Sequence, residues 1–322
     1  MGGGVILEVN ELRLRQSLPL DVKVKMTERR IVEFVEMYGL YGVYVSFSGG
    51  KDSTVLLHIC RKLYPDIQAV FIDTWLEFPE VRDFVKTFDN VVFIKPKKSM
   101  KQIVKEDGWC FPSKDVAETI YYYRLGREWA DKKLHGFNKD GKYSQFRKQY
   151  KKWLPLAESN IPISHKCCLD MKEIPVQVYE RQTNRHPLLA LMAEESQRRE
   201  QAYLRTGCNS FNSDRPQSKP LGFWTEQDIL NYIMLNNLPI ASPYGKIIKM
   251  SNHKQLFCSE CKYTTSKEKR TGCMFCPIAC HLDKFAKFER LKKSHPKIYD
   301  FCMEELNEKE LLEFVKKNYI KF

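Results

Sequence analysis

Ser48-Gly49-Gly50-Lys51-Asp52-Ser53 stands between two apolar runs, Gly42-Val43-Tyr44-Val45-Ser46-Phe47 and Thr54-Val55-Leu56-Leu57-His58-Ile59-Cys60. The first run is β-branched and aromatic, as a strand requires, and the second reads as a helix. Strand, glycine turn and helix start together aim backbone N–H groups at an anion, a phosphate above all. The glycine pair lets the backbone approach that anion, and Ser53 is placed to cap the helix while donating to a phosphate oxygen. Lys51 supplies a point charge, and Asp52 suits a magnesium ion or the turn itself. The spacing is not that of a Walker loop, which needs four residues between its glycines. An ordinary strand-to-helix turn would leave the Lys-Asp-Ser run unexplained.

Working outward, Ile67-Gln68-Ala69-Val70-Phe71-Ile72-Asp73 reads as a buried strand and Val91-Val92-Phe93-Ile94 as a third strand, with a helix between them. Strands alternating with helices predict an α/β fold, a doubly wound parallel sheet whose ligands bind at the carboxyl ends of the strands. Asp73 lies at such an end, where an acid serves a ligand or simply caps a helix. Upstream, 27–38 carries a helical period behind Thr27 as cap, and 1–25 reads as a peripheral arm. We expect the nucleotide-binding α/β domain to span 26–250, a cysteine-rich metal segment 251–282, and lysine-rich helices covering the sheet 283–322.

Residues 113–160 interleave aromatics with cations: Tyr121-Tyr122-Tyr123-Arg124, Arg127-Glu128-Trp129, Lys132-Lys133, and Tyr143 through Trp153. The mixture suits a nucleic-acid groove, and equally an amphipathic helical insert that packs its aromatics on the sheet. Thr225 with Asp228 three positions on predicts a carboxylate capping box before Ile229-Leu230.

The chain has 322 residues and a formal net charge of +13. That excess favours a polyanionic partner, nucleic acid or nucleotide. No apolar stretch is long enough for a membrane span and the start lacks a secretory signal, so a cytoplasmic location is expected. Eleven cysteines in that compartment argue for metal or reactive thiols over disulfides. Cys258-x-x-Cys261 and Cys273-x-x-Cys276 make a zinc-ribbon-like site credible from spacing alone. Cys280 and Cys208 are further candidates, while Cys60 and Cys302, among apolar neighbours, read as packing residues.

The loop resembles the SGGKDS signature of the PP-loop ATP pyrophosphatases. Several ordered segments resemble the phosphoadenosine phosphosulfate (PAPS) reductase family. Asp73-Thr74 with Phe78-Pro79-Glu80 is similar to its DTG-x-x-FPET stretch, with Trp75 in place of the glycine, so the local turn is expected to differ. Glu194-Glu195-Ser196-Gln197-Arg198-Arg199 is similar to its E-S-x-x-R element, with Arg198 or Arg199 as a phosphate ligand; Arg198 is taken for the cofactor. Lys219-Pro220-Leu221 through Trp224-Thr225 and Asp228-Ile229 continues the likeness. Cys167-Cys168 with Cys273-x-x-Cys276 looks like the CC…CxxC set that carries a [4Fe–4S] cluster in adenylylsulfate (APS) reductases. We favour that set over zinc at Cys258, Cys261, Cys273 and Cys276, because zinc would leave the tandem pair idle.

The resemblance implies ATP held by Ser48, Gly49, Gly50, Lys51, Asp52 and Ser53, and cleaved between its α and β phosphates. Lys51 would stabilise the leaving pyrophosphate, and Asp52 and Asp73 would place Mg2+. The expected function is adenylation of a substrate for sulfur transfer, with tRNA or DNA as acceptor and a sulfur-donor protein such as a cysteine desulfurase. Sulfonucleotide reductases instead carry a degenerate loop and a cysteine in a late E-C-G-x-H segment; this chain keeps the loop and lacks that segment. A sulfonucleotide reductase, a sulfate adenylyltransferase-like enzyme holding an adenylated sulfur nucleotide, or a non-catalytic nucleotide-binding module are the alternatives.

Overall fold

Short runs of valine, isoleucine and phenylalanine set the centre of the fold, because side chains buried on both faces of a sheet cannot alternate with polar ones. The computed structural model describes residues 7–250 and 262–319. Strands β1 (Val43–Ser46), β2 (Ala69–Ile72), β3 (Val91–Ile94), β4 (His186–Leu188), β5 (Asn209–Ser210) and β6 (Gln217–Ser218) form one sheet in the order β3-β2-β1-β4-β6-β5. All pairs are parallel except β5 with β6. The expected doubly wound α/β architecture is therefore present. Register is fixed around β1, where Val45 pairs with Ala69 on one side and with Leu188 on the other. A separate antiparallel pair joins β7 (Ile247–Met250) to β8 (Lys262–Thr265).

The chain divides into two units. Residues up to Ile94 together with Val176–Thr271 form the first, and Lys95–Pro175 together with Gly272–Phe322 form the second. In the first unit the helices Leu20–Tyr38 and Lys51–Leu63 bury Ile31, Phe34, Val55, Leu56 and Ile59 in one core with Val43, Leu188, Phe223 and Trp224. The former helix begins at Leu20, not Thr27. Thr27 is an interior residue: its hydroxyl donates to the Pro220 carbonyl and accepts from the Trp224 indole at 2.8 Å. Nor is the start of the chain wholly peripheral, since Val9–Ser17 is helical and Leu12 is fully buried.

The helix Glu226–Leu235 carries the predicted capping box, with the Thr225 hydroxyl accepting from Asp228 N and Thr225 N donating to the Asp228 carboxylate. That carboxylate also meets Lys23 Nζ at 2.7 Å, and Lys23 is 2% exposed. Removing one member of a buried pair leaves the other charge uncompensated. Lys23→Met is therefore expected to cost about 3–5 kcal/mol, read as a lower urea midpoint with unchanged slope.

In the second unit, Lys114–Arg124, Glu128–His135, Arg147–Lys151 and Leu154–Ala157 are helices. Arg124 acts as an internal staple, donating to the carbonyls of Leu156, Ala157, Ser159 and Ile161. Tyr121 and Tyr122 pack on His165, and Trp153 is buried. These rings pack within their own unit, whereas Trp129, Tyr143 and Phe146 stay exposed. The helices Ala286–Ser294, Pro296–Asp300 and Glu308–Tyr319 belong to this unit, and the sheet to the first.

Candidate functional site

Strand order reverses between β1 and β4, and in an open α/β sheet that reversal leaves a crevice at the strands' carboxyl ends. The loop after β1 opens there. Gly49 has φ of +68°, and a Cβ on it would stand 2.7 Å from Val85 and 2.8 Å from Val81, so only glycine fits. Gly50 caps the helix Lys51–Leu63 without any side-chain hydrogen bond. The helix thus begins with no side-chain cap at the end of the strand–glycine turn, the position an anion site uses. Ser53 does not cap that helix. It accepts from Ser48 N, donates to the Gly50 carbonyl, and lies 3.1 Å from the Ser48 hydroxyl, bracing the loop from within.

Lys51 is 3% exposed. Its Nζ reaches the Lys269 carbonyl at 3.3 Å, Asp52 Oδ1 at 3.5 Å and Glu226 Oε1 at 3.4 Å. Its backbone N–H donates to the Tyr244 hydroxyl, which is itself hydrogen-bonded to Thr271. Burial pushes the Asp52 carboxyl above the usual carboxylate range, against the pull of Lys51 and Arg270. Asp52 Oδ1 is buried with no hydrogen-bond partner. An orphaned hard oxygen of this kind fits a magnesium ion, which takes one or two carboxylates and completes its shell with phosphate and water.

The E-S-x-x-R element places Arg199, rather than Arg198, in this charged group. Ser196 caps the helix Gln197–Thr206 by accepting from Arg199 N. Arg199 pairs with Glu195, whose other oxygen lies 3.6 Å from Arg270. Burial and the nearby Arg270 lower the Arg199 pKa, while Asp52 opposes them. Arg198 is exposed. Counted strictly, the motif's final position is Arg199. Tyr244, Glu226 and Arg270 were not singled out in the sequence; Tyr244 stands in a recognised stretch, but nothing in the spacing marks it as a loop ligand.

Asp73 is buried, and both of its oxygens are engaged by Arg82, at 2.7 and 2.9 Å. The guanidinium lies 3.6 Å above the Trp75 ring. Trp75 has φ of +64°, the left-handed region that glycine favours. The tryptophan therefore follows a backbone path open to glycine, contrary to the expected change of turn, and its stacking on Arg82 offsets part of the strain. Asp73 has only its remaining lone pairs for a metal, so Asp52 is the better-placed carboxylate.

The second unit assembles thiols. Cys167 and Cys168 occupy the short helix Lys166–Cys168, and Cys273 and Cys276 share a turn closed by Cys276 N donating to the Cys273 carbonyl. Cys167 lies in the electrostatic field of Cys168, Cys273, Cys276 and Cys110. Burial pushes the Cys276 thiol up to about 11, opposed by Lys287, and Cys110 beside Cys168 and Cys276 up to about 12. Lys287 Nζ donates to the Cys273 and Cys276 carbonyls, holding the turn. Among the described residues no three His, Cys, Asp or Glu side chains are grouped as a single ion requires. A tetrahedral zinc ion draws its sulfurs to about 3.8 Å from one another. Cys258 and Cys261 lie outside the described residues. Cys208 is in the first unit, buried beside Tyr203.

The family model described as "Phosphoadenosine phosphosulfate reductase domain" matches residues 42–279, from β1 through the Cys273-x-x-Cys276 turn. The chain belongs to this family. Within the PAPS reductase domain family, a curated relative is an uncharacterised protein of Methanocaldococcus jannaschii, 29% identical over 133 residues. That match covers 35% of this chain, which spans about a third (32%) of the relative's length. Solved structures that align with it include PAPS reductase of Candida auris, in a phosphate complex, at 16% identity and TM-score 0.39, covering 74% of this chain and 92% of that one. FMN adenylyltransferase of Candida glabrata aligns at 13% identity and TM-score 0.39, covering 75% and 71%. The family sets the fold and a nucleotide-binding ancestry; it leaves the substrate of this PAPS reductase-family chain open. No helix among the described residues is long and apolar enough to cross a membrane.

Proposed function

We propose that this chain is an ATP pyrophosphatase that cleaves ATP between the α and β phosphates and adenylates a substrate for sulfur transfer. The observation that carries the reading is the intact Ser48–Ser53 loop with Lys51 buried beneath it, its Nζ 3.5 Å from the buried Asp52 Oδ1. Loop amides and Lys51 would hold the phosphates, and Arg199 with Arg270 would supply further positive charge as the pyrophosphate leaves. Asp52 would ligate Mg2+. Asp73 would orient Arg82, whose fork it holds by both oxygens.

Cys167, Cys168, Cys273 and Cys276 would hold a [4Fe–4S] cluster, which supplies electron or sulfur-exchange chemistry when bound. A nucleic acid, tRNA or DNA, would be the acceptor, consistent with the +13 charge. A cysteine desulfurase or similar protein would supply sulfur. The reductase alternative needs a mobile nucleophilic thiol late in the chain. Cys302, the last cysteine of the sequence, is fully buried and its thiol is raised far above its ordinary value.

The test is product analysis of ATP turnover with and without tRNA or single-stranded DNA. The expected products are pyrophosphate and an adenylate or AMP. Tight ATP binding with no cleavage under every condition would assign a binding module instead, and thiol-dependent turnover of APS or PAPS would assign a reductase.

A further inference from the structure

In the second unit, Trp129, Phe146 and Tyr150 stand around a cavity of about 680 Å³ whose rim carries Lys132, Lys133 and Lys139. Trp129 is 42% exposed and Phe146 53%. Large rings left open to water side by side mark a binding surface more often than a packing accident. They are also the rings that the helical insert does not bury.

The cavity has a built wall. Asn138 N donates to the Lys142 carbonyl at 2.7 Å, closing a tight turn, and Phe137 stacks on Tyr143 with centroids 5.0 Å apart. Gly136 has φ of +86°, and a Cβ there would stand 2.4 Å from the Cβ of Arg147. That close approach seats the turn against the helix Arg147–Lys151. The wall is thus set before any ligand arrives, which lowers the ordering cost of binding.

Charge decides what would enter. The cavity lining carries Lys132, Lys133 and Lys139 against one carboxylate, Glu128, and from 128 to 152 the chain has eight lysines and arginines and three carboxylates, Glu128, Asp131 and Asp140. Lys133 lies 4.7 Å over the Tyr150 ring and 2.8 Å from Asp115. Lys132 pairs with Glu128, which is itself largely exposed, and Lys139 is exposed. Rings offer π-faces and lysines offer phosphate contacts, the combination by which sequence-tolerant sites hold unpaired nucleotides. A duplex keeps its base faces stacked and presents only phosphate to such a surface.

We propose that this cavity receives an unstacked base of a single-stranded nucleic acid, with Lys132 and Lys139 on the flanking phosphates. The inference gives the acceptor in the reading above a docking site and a strandedness, and it stands on residues that reading does not use. The experiment is fluorescence anisotropy with a labelled single strand of roughly 20 nucleotides and its duplex, without ATP. Single strand is expected to bind more tightly than duplex. Trp129→Ala and Phe146→Ala are each expected to weaken the single strand about tenfold, with unchanged circular dichroism. Lys132→Ala with Lys139→Ala should flatten the salt dependence. Wild-type affinity in the double ring variant, or equal affinity for duplex, overturns the proposal. So does equal displacement of the strand by polyglutamate, which would assign the patch to an acidic protein. Lys51→Ala is expected to bind the strand like the wild type, so a failure here is distinct from a failure of pyrophosphate release.

Discussion

Lys51→Ala is expected to lower pyrophosphate release from ATP by about 10²–10³-fold, with the fold intact by circular dichroism. The size follows from where the ammonium sits. Lys51 is almost wholly buried, and its Nζ is held by the Lys269 carbonyl between Asp52 and Glu226. A charge pre-positioned in a low-dielectric crevice stabilises a developing anion without reorganisation, and that benefit is lost entirely when the side chain is truncated. Binding of ATP should suffer less than turnover, because on the proposed reading the loop and Arg199 would still hold the phosphates. The comparison of neighbours sharpens the test. Arg199→Ala is expected to reduce turnover strongly, since Arg199 belongs to the Glu195–Arg270 group beside Asp52. Arg198→Ala, on the exposed side of the same helix turn, should leave turnover near wild type. Equal losses at 198 and 199, or unchanged release in Lys51→Ala, would remove the loop from the chemistry.

The loop was readable from the chain because its physics is local. A buried strand, two glycines and a helix start stand within twenty residues, and each residue type answers a neighbour in sequence. The sheet followed for the same reason: β2 and β3 are unbroken apolar runs, and a run of that kind has few alternatives. What escaped were groups brought in by the fold. Glu226, Tyr244 and Arg270 reach Lys51 and Asp52 from about 175 to 220 residues away, and each would read as an ordinary surface or core residue in its own segment. Thr27 misled in the opposite sense. A threonine ahead of a helical period is a good cap, yet here the helix runs seven residues further back and Thr27 serves the Trp224 indole. Trp75 shows a third kind of limit. Local propensity argues against a bulky residue at positive φ, but Arg82 held by Asp73 stacks on the ring and makes the conformation tolerable. The aromatic insert split in a way that composition alone could not show, with Tyr121, Tyr122 and Trp153 packed inside the unit and Trp129 and Phe146 left open.

Cys167→Ser, Cys168→Ser, Cys273→Ser and Cys276→Ser are each expected to abolish iron and acid-labile sulfide in anaerobically purified protein, with loss of absorbance near about 400 nm. The basis is convergence. Two segments separated by a hundred residues place their thiols in one another's field, in a region where burial raises the thiol pKa values and lysines stand nearby. Buried thiols without a cation stay protonated and inert; a metal centre turns the same burial into strong binding, because it displaces the protons. Cys110 is the useful control. It is buried beside Cys168 and Cys276, so it shares the environment, but it lies outside the CC…CxxC set. Cys110→Ser and Cys302→Ser are expected to keep the full iron content. Lys287→Met should retain iron less well on exposure to air, since the turn carrying Cys273 and Cys276 loses the ammonium that ties its two carbonyls together. Stoichiometric zinc without visible absorbance, lost on Cys258→Ser and Cys261→Ser but not on Cys167→Ser, would instead assign the later thiols to zinc and leave the tandem pair as packing. Retention of iron in Cys167→Ser with loss in Cys110→Ser would keep the centre and change its ligand, because Cys110 also feels the charge of Cys168 and Cys276.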